Sequence, residues 1–318
     1  MSLRQWFWLV VLSLLWGGSF FFVGVAVDEV PTLTLVFIRV ALAAAVLIPL
    51  VWLRGLALPA SLQAWWPFIV MAVLNNIIPF SLIALGQSQI ASGLAAVLNA
   101  TTPLWTVVIA RVSGADEHIT PARLIGIACG IAGVAVLMGP ALAAGEASSA
   151  LGMACVIGGA VSYGCAGVWG RRLGGTPALI AATCQLISSS VILLPVVLLV
   201  DMPWQLAVPS AGTLAALVGL AVLSTAVAYI VFFHILHVSG ATNVMLVTLL
   251  IPVSSIALGT LFLGETLAAQ QVGGALMIAA ALIVFDGRAV AWAWRRGRGA
   301  GVAGAASPKS EPGPQTDR

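Results

Sequence analysis

Runs of roughly twenty apolar residues recur along almost the whole chain, each closed by a charge or a Pro/Gly-rich turn. A helix rises about 1.5 Å per residue and the hydrocarbon core of a bilayer is about 30 Å thick, so each run predicts a membrane-crossing helix. Ten such spans are expected, at 7–27, 33–53, 66–86, 91–110, 120–140, 150–170, 177–200, 211–233, 242–263 and 268–286. The first follows Arg4 and outlasts the apolar stretch of a signal peptide; with nine more behind it, it reads as an uncleaved helix. The expected fold class is all-α integral membrane.

Composition closes off the soluble alternatives. Hydrophobic residues make up 61% of the 318 positions and charged residues 7%, against about 25% charged in a soluble domain. Such a chain cannot clothe a water-facing surface, which excludes a soluble enzyme, a nucleic-acid binder and a disulfide scaffold. Cys129, Cys155, Cys165 and Cys184 lie inside apolar runs without metal-ligand spacing and read as small packing residues. Charge placement then orients the spans. With the N-terminus in the cytoplasm, 12 of the 13 Lys and Arg residues fall in inside segments, whereas the outside loops hold Asp28, Glu29, Glu146, Asp201 and Glu265 and no cation. Both termini are therefore expected in the cytoplasm, with residues 291–318 a disordered tail. The thirteenth cation, Arg39, lies within the second span.

The chain repeats itself. Trp16-Gly17-Gly18-Ser19 in the first span matches Tyr163-Gly164-Cys165-Ala166 in the sixth at an offset of 147, and Ser92-Gly93 recurs as Ser239-Gly240 at the same offset. Pro103 pairs with Pro252 at 149, and Glu117 followed by Gly126 pairs with Glu265 followed by Gly274 at 148. Each half holds five spans, an odd number, so the second half is expected upside down relative to the first: residues 1–145 and 146–290 form two inverted-topology repeats of five helices. Such repeats suit carriers that expose one central site to the two sides in turn.

Leu15-Trp16-Gly17-Gly18-Ser19-Phe20, Phe37-Ile38-Arg39 and Leu261-Phe262-Leu263-Gly264-Glu265, in this order on a five-plus-five plan, resemble the EamA family of the drug/metabolite transporter superfamily over about residues 5–287. Within it the chain looks most like bacterial exporters of aromatic amino acids and related metabolites. The resemblance implies the inner membrane, an outward direction and an amino-acid-like substrate. Ser113-Gly114-Ala115-Asp116-Glu117 departs from the family pattern, where a Gly-Glu pair is usual.

Polar side chains are costly in lipid, so those inside the spans point to a cavity or to another helix. Ser92, Asn99, Thr102 and Thr106 recur at helical spacing in the fourth span, beside Pro103. A proline withholds the hydrogen bond to the carbonyl four residues back, here that of Asn99, and Pro252 does the same to Thr248 in the ninth span. Two half-helices meeting at a central site, or ordinary kinks healed by neighbouring Thr and Asn side chains, are the two readings. Asn75, Asn76 and Pro79, followed by Phe80, mark the third span as a cavity wall or as interhelical glue, and Ser224, Thr225 and Tyr229 follow helical spacing in the eighth. Trp16 and Tyr163, mates in the repeat and each followed by small residues, are candidates to stack on a flat substrate. The expected cavity residues are thus Trp16, Asn75, Asn76, Phe80, Asn99, Thr102, Tyr163, Tyr229, Thr248 and Ser254, with helix breaks at Pro79, Pro103 and Pro252.

Arg39 could meet a substrate carboxylate, snorkel to the interface, or pair with Asp28 or Glu29. No acid occupies the middle of any span, which favours a facilitator over a proton-coupled carrier. His234 and His237 stand three apart but lack a third ligand, so no metal and no cofactor is expected. Gly126 and Gly130, partnered in the repeat by Ala275 and Ala279, make the fifth and tenth spans candidate contacts for a homodimer. Expected partners are a small-molecule substrate and the bilayer. A drug, lipid or nucleotide-sugar transporter of the same fold, or a channel or scramblase, is the alternative.

Overall fold

The computed structural model describes residues 3–114, 120–239, 244 and 246–286. Glu117, Gly240 and the expected tail 291–318 lie outside them. Eight helices are long and apolar enough to cross a membrane: α1 (Leu3–Ala26), α2 (Thr32–Leu53), α3 (Leu62–Gln87), α4 (Ser92–Val112), α5 (Pro121–Ala143), α6 (Ala147–Leu173), α7 (Ala178–Val200) and α8 (Ala211–Ser239). Two shorter apolar helices follow, α9 (Val247–Phe262) and α10 (Ala269–Asp286). Among the described residues every regular element is helical.

Serine and threonine start several of these helices. The Ser61, Thr120 and Ser210 hydroxyls accept the backbone N–H three residues on, at the heads of α3, α5 and α8. Beyond the caps the helices are apolar all round, and large side chains such as Leu14, Val191, Leu199 and Leu276 are exposed. Lipid offers no hydrophobic drive for helices to associate, so small residues and interhelical hydrogen bonds must hold them together.

The packing is two-fold related. Helix α1 lies on α9 as α6 lies on α4, and α8 lies on α1 as α3 lies on α6; α2 pairs with α7, and α5 with α10. Glycines set the first of these contacts. A Cβ on Gly17 would stand 2.7 Å from the Ser254 Cβ and 3.0 Å from the Ser255 nitrogen. On its repeat mate Gly164, a Cβ would stand 3.0 Å from the Thr106 nitrogen and 3.1 Å from the Trp105 carbonyl carbon. Each glycine rests on the turn just after the proline of the partner helix. Gly126 rests likewise on Ala281 and Phe285, and Gly133 on Gly274 and Ile278. The small-residue face of α5 is therefore covered by α10 of the same chain, and is not open for a second copy.

Helices α3 and α8 share an irregularity that the apolar pattern does not reveal. Each widens into a π-helical turn near its middle, at Val73–Ile77 and at Val222–Val227. These segments start at an offset of 149, and both carry polar residues: Asn75 and Asn76 in one, Ser224 and Thr225 in the other. Wide turns of this kind commonly mark functional sites.

Candidate functional site

The two π-turns face the helices of the other half, and a polar cluster forms where they meet them. From α2, the Arg39 Nε donates to the Thr225 Oγ1 at 3.0 Å. The Thr225 hydroxyl passes its own hydrogen to the carbonyl of Leu220, five residues back, at 2.8 Å. From α7, the Gln185 Oε1 accepts from the Asn75 Nδ2 at 3.0 Å, and the same amide reaches the Tyr229 hydroxyl at 3.3 Å. Arg39 thus meets the π-turn of α8 as Gln185 meets the π-turn of α3. Pro31 and Pro177, which precede α2 and α7, and Pro49 and Pro195 inside them share an offset of 146, and at that offset Arg39 and Gln185 are mates.

Aromatic rings close round this cluster. The Arg39 guanidinium carbon lies 3.5 Å from the centroid of Phe80, and Phe80 meets Tyr163 edge-on at 6.4 Å. Tyr229 stacks on Phe233 at 6.1 Å, and Trp16 lies 5.4 Å from Phe232. Asn75, Phe80, Tyr163 and Tyr229 lie around this cluster, and Trp16 reaches it through Phe232, whose ring meets Phe233 at 5.2 Å.

The other expected residues are placed differently. Asn76 is fully buried and its amide donates to Ser189 on α7 at 2.9 Å, a bond that ties helices together. Ser254 bonds Ser13 at 3.0 Å in the contact between α9 and α1, against Gly17. Thr248 is half-buried in the first turns of α9. Asn99 ends the first segment of α4, with its side-chain oxygen sealed from solvent and unpartnered. The Thr102 hydroxyl donates to the Asn99 carbonyl at 2.7 Å, so the acceptor that Pro103 releases is recaptured locally.

The prolines differ as well. Helix α4 breaks at Ala100 and Thr101, ahead of Pro103, which becomes the second residue of the segment Thr102–Val112, where its missing N–H is not needed. Pro79 follows the π-turn of α3, which continues as helix through Gln87. The break expected at Pro252 is not found, since α9 runs uninterrupted over Val247–Phe262. Its proline deprives Thr248 alone, in the first turns, and loss of one bond there need not interrupt the helix. His234 and His237 are both exposed, and no three His, Cys, Asp or Glu residues cluster for a metal among the described residues.

One end of the bundle is tied by three carboxylates, each reaching a helix of the other half. Asp201, after α7, accepts from the backbone and hydroxyl of Thr34 in the first turn of α2, at 2.8 and 2.7 Å. Glu29, after α1, accepts from the backbone and hydroxyl of Ser210 at the head of α8, at 2.6 and 2.8 Å. These bonds, the backbone one foremost, hold the Glu29 carboxyl below its ordinary pKa. Glu265, after α9, accepts from Ser92 N and Oγ, both at 2.8 Å, and from Gly93 N at 3.2 Å at the head of α4. Helix N-termini present unpaired N–H groups and positive dipole ends, so each is a natural seat for an anion. Neither Asp28 nor Glu29 reaches Arg39.

Compared with known proteins, the chain matches the EamA-like transporter family over residues 4–139 and again over 150–285. It is 24% identical over 275 residues to the uncharacterized transporter YoaV of Bacillus subtilis, covering 85% of this chain and 92% of that one. It is 25% identical over 260 residues to the uncharacterized inner membrane transporter YedA of Escherichia coli K12, covering 81% and 83%. One solved crystal structure superposes with a TM-score of 0.63 at 18% identity, covering 90% of this chain and 98% of its own.

Proposed function

This chain belongs to the EamA-like transporter family, and we propose that it carries amino acids, aromatic ones foremost, and related amphipathic solutes across a bacterial inner membrane by alternating access. Ten spans form two five-helix halves of opposite orientation, with both termini in the cytoplasm. The observation that carries this reading is the related seating of Gly17 on α9 and Gly164 on α4, which makes two equivalent contacts on either side of one aromatic-lined polar centre. Equivalent contacts of opposite sense are what a carrier exchanges as it opens first to one side and then to the other.

The chemistry of the centre fits an amphipathic solute. Rings of Trp16, Phe80, Tyr163 and Tyr229 offer stacking worth about 0.5–1.5 kcal/mol each, and Asn75 and Gln185 offer hydrogen bonds. The end tied by Asp201, Glu29 and Glu265 is read as the closed gate on the outside. No carboxylate stands in the middle of a span to relay a proton, which supports facilitated movement down the solute's own gradient.

Purified protein in liposomes tests this directly. Labelled tryptophan, phenylalanine, threonine and a nucleotide sugar are offered with and without a pH gradient. Saturable uptake of the aromatic amino acids that ignores the pH gradient is expected. Failure of all four by folded, inserted protein would discard the amino-acid substrate and favour the lipid or drug carrier; ion conductance would favour a channel.

A further inference from the structure

We propose that Arg39 is a binding site for an anion, and specifically for the carboxylate of the transported solute. This rests on the transporter reading above but not on the solute's being an amino acid. Arg39 is 8% exposed, seven positions after Thr32 at the head of α2, and its Nε is engaged inside the bundle. A guanidinium carries five N–H donors and always bears its charge. Among the described residues its Nε bond to Thr225 is the one hydrogen bond it makes, and no carboxylate pairs with it. A buried charge left in that state is expensive, and proteins keep one inside a membrane where it meets a solute or a partner.

The surroundings aim the fork instead of neutralising it. Thr225 spends its hydrogen on Leu220 across the π-turn and so presents a lone pair to Nε, which fixes the guanidinium plane. Phe80 covers one face of that plane. What remains is the outer edge with the two terminal nitrogens. Neither terminal nitrogen bonds any described residue. Two parallel N–H groups on an oriented edge match the geometry of a carboxylate. Gln185 occupies the same place in the other half, where it bonds Asn75. The centre is thus polar on both sides but cationic on one, which gives an amphipathic acid a defined direction.

The test is binding to purified wild-type protein and to Arg39→Gln, with 3-phenylpropionate and its uncharged match 3-phenylpropanamide as probes. Wild-type protein should prefer the acid by about 10- to 100-fold, the worth of a charge-assisted hydrogen bond. Arg39→Gln should lose that preference while binding the amide as before. Equal binding of acid and amide by wild type, no binding of the acid, or a preference that survives in Arg39→Gln overturns the proposal. Should Arg39→Gln not fold, the wild-type ratio still decides, and Thr225→Val, which removes the acceptor that orients the fork, should narrow it. Phenylalanine run alongside separates the two readings: phenylpropionate bound and phenylalanine ignored would leave the anion site standing and remove the amino-acid substrate.

Discussion

Adding one methyl group at Gly17 tests whether the contact between α1 and α9 is as close as the helices imply. A Cβ there would lie 2.7 Å from the Ser254 Cβ, 3.0 Å from the Ser255 nitrogen and 3.1 Å from the Ile251 carbonyl oxygen. Carbon atoms in contact sit about 3.5–4.0 Å apart, so the new methyl intrudes by about 1 Å. Two of the three atoms it meets are backbone, which no side-chain rotation can clear. Helix α9 must move, and overpacking of this kind costs about 1–3 kcal/mol. Alanine's better helix propensity returns up to about 1 kcal/mol.

Gly273→Ala supplies the control, because it lies on α10 with nothing within 4 Å of its new methyl and no proline after it. It should gain the propensity term and pay nothing. The two variants should therefore differ by about 1–3 kcal/mol, a few degrees in a thermal melt of the purified protein in detergent. Gly164→Ala should behave as Gly17→Ala does, since its Cβ would lie 3.0 and 3.1 Å from backbone atoms of Thr106 and Trp105. Transport should fall in both. If Gly17→Ala and Gly164→Ala melt with Gly273→Ala, the helices are not held at this distance and the equivalence of the two contacts loses its basis.

Asn99→Leu removes a sealed, unpartnered oxygen, so it should leave the melting temperature unchanged or higher while cutting uptake; uptake at the wild-type rate would remove Asn99 from the pathway. Tyr163→Ala should cut uptake with the protein still folded and inserted, as judged by its elution as a single species in detergent. Glu265→Ala strips three hydrogen bonds from the head of α4, worth about 0.5–2 kcal/mol as a cap, and should raise the accessibility of a cysteine placed at the exposed Thr266 to an impermeant reagent added outside. The Glu29 carboxyl is held below the ordinary 4.5, so its contribution to stability is complete above that value and fades as pH falls through the lowered one. Melts taken between pH 7 and pH 3 should show that acid loss in wild type and less of it in Glu29→Gln.

The eight long apolar helices were legible in the chain because they follow from bulk, whereas Gly17 and Gly164 were marked as room beside aromatic rings and not as the seats of α9 and α4. An apolar run of bilayer length has one use. The face each helix turns to its neighbours was not legible. With spans apolar all round, no stripe marks the inner side, so the partners of polar residues had to come from packing. Hence Asn75 and Asn76, adjacent in sequence, part company: one meets Gln185 and Tyr229 at the centre, the other Ser189 in a helix contact. Gln185 drew no notice as a lone amide in an apolar run. The spacing of Pro31 with Pro177 and Pro49 with Pro195 would have aligned it with Arg39. The π-turns left no mark at all, since a widened turn has no composition of its own.

Those turns tie the local irregularity to the central chemistry. An α-helical Thr225 would return its hydroxyl to a carbonyl three or four residues back; across the π-turn it reaches Leu220, five back. The widened turn also sets Ser224 and Thr225 toward the interior together, both buried. In α3 the corresponding turn carries Asn75 to Gln185, so one backbone device serves both halves with different side chains on it. The difference in charge is then the informative part. The scaffold repeats its glycine contacts and its wide turns, yet places an arginine on one side and a glutamine on the other, so the halves are alike in packing and unlike in charge. In the carrier proposed above, related halves would serve two alternating gates, and the single cation would hold the solute in one orientation.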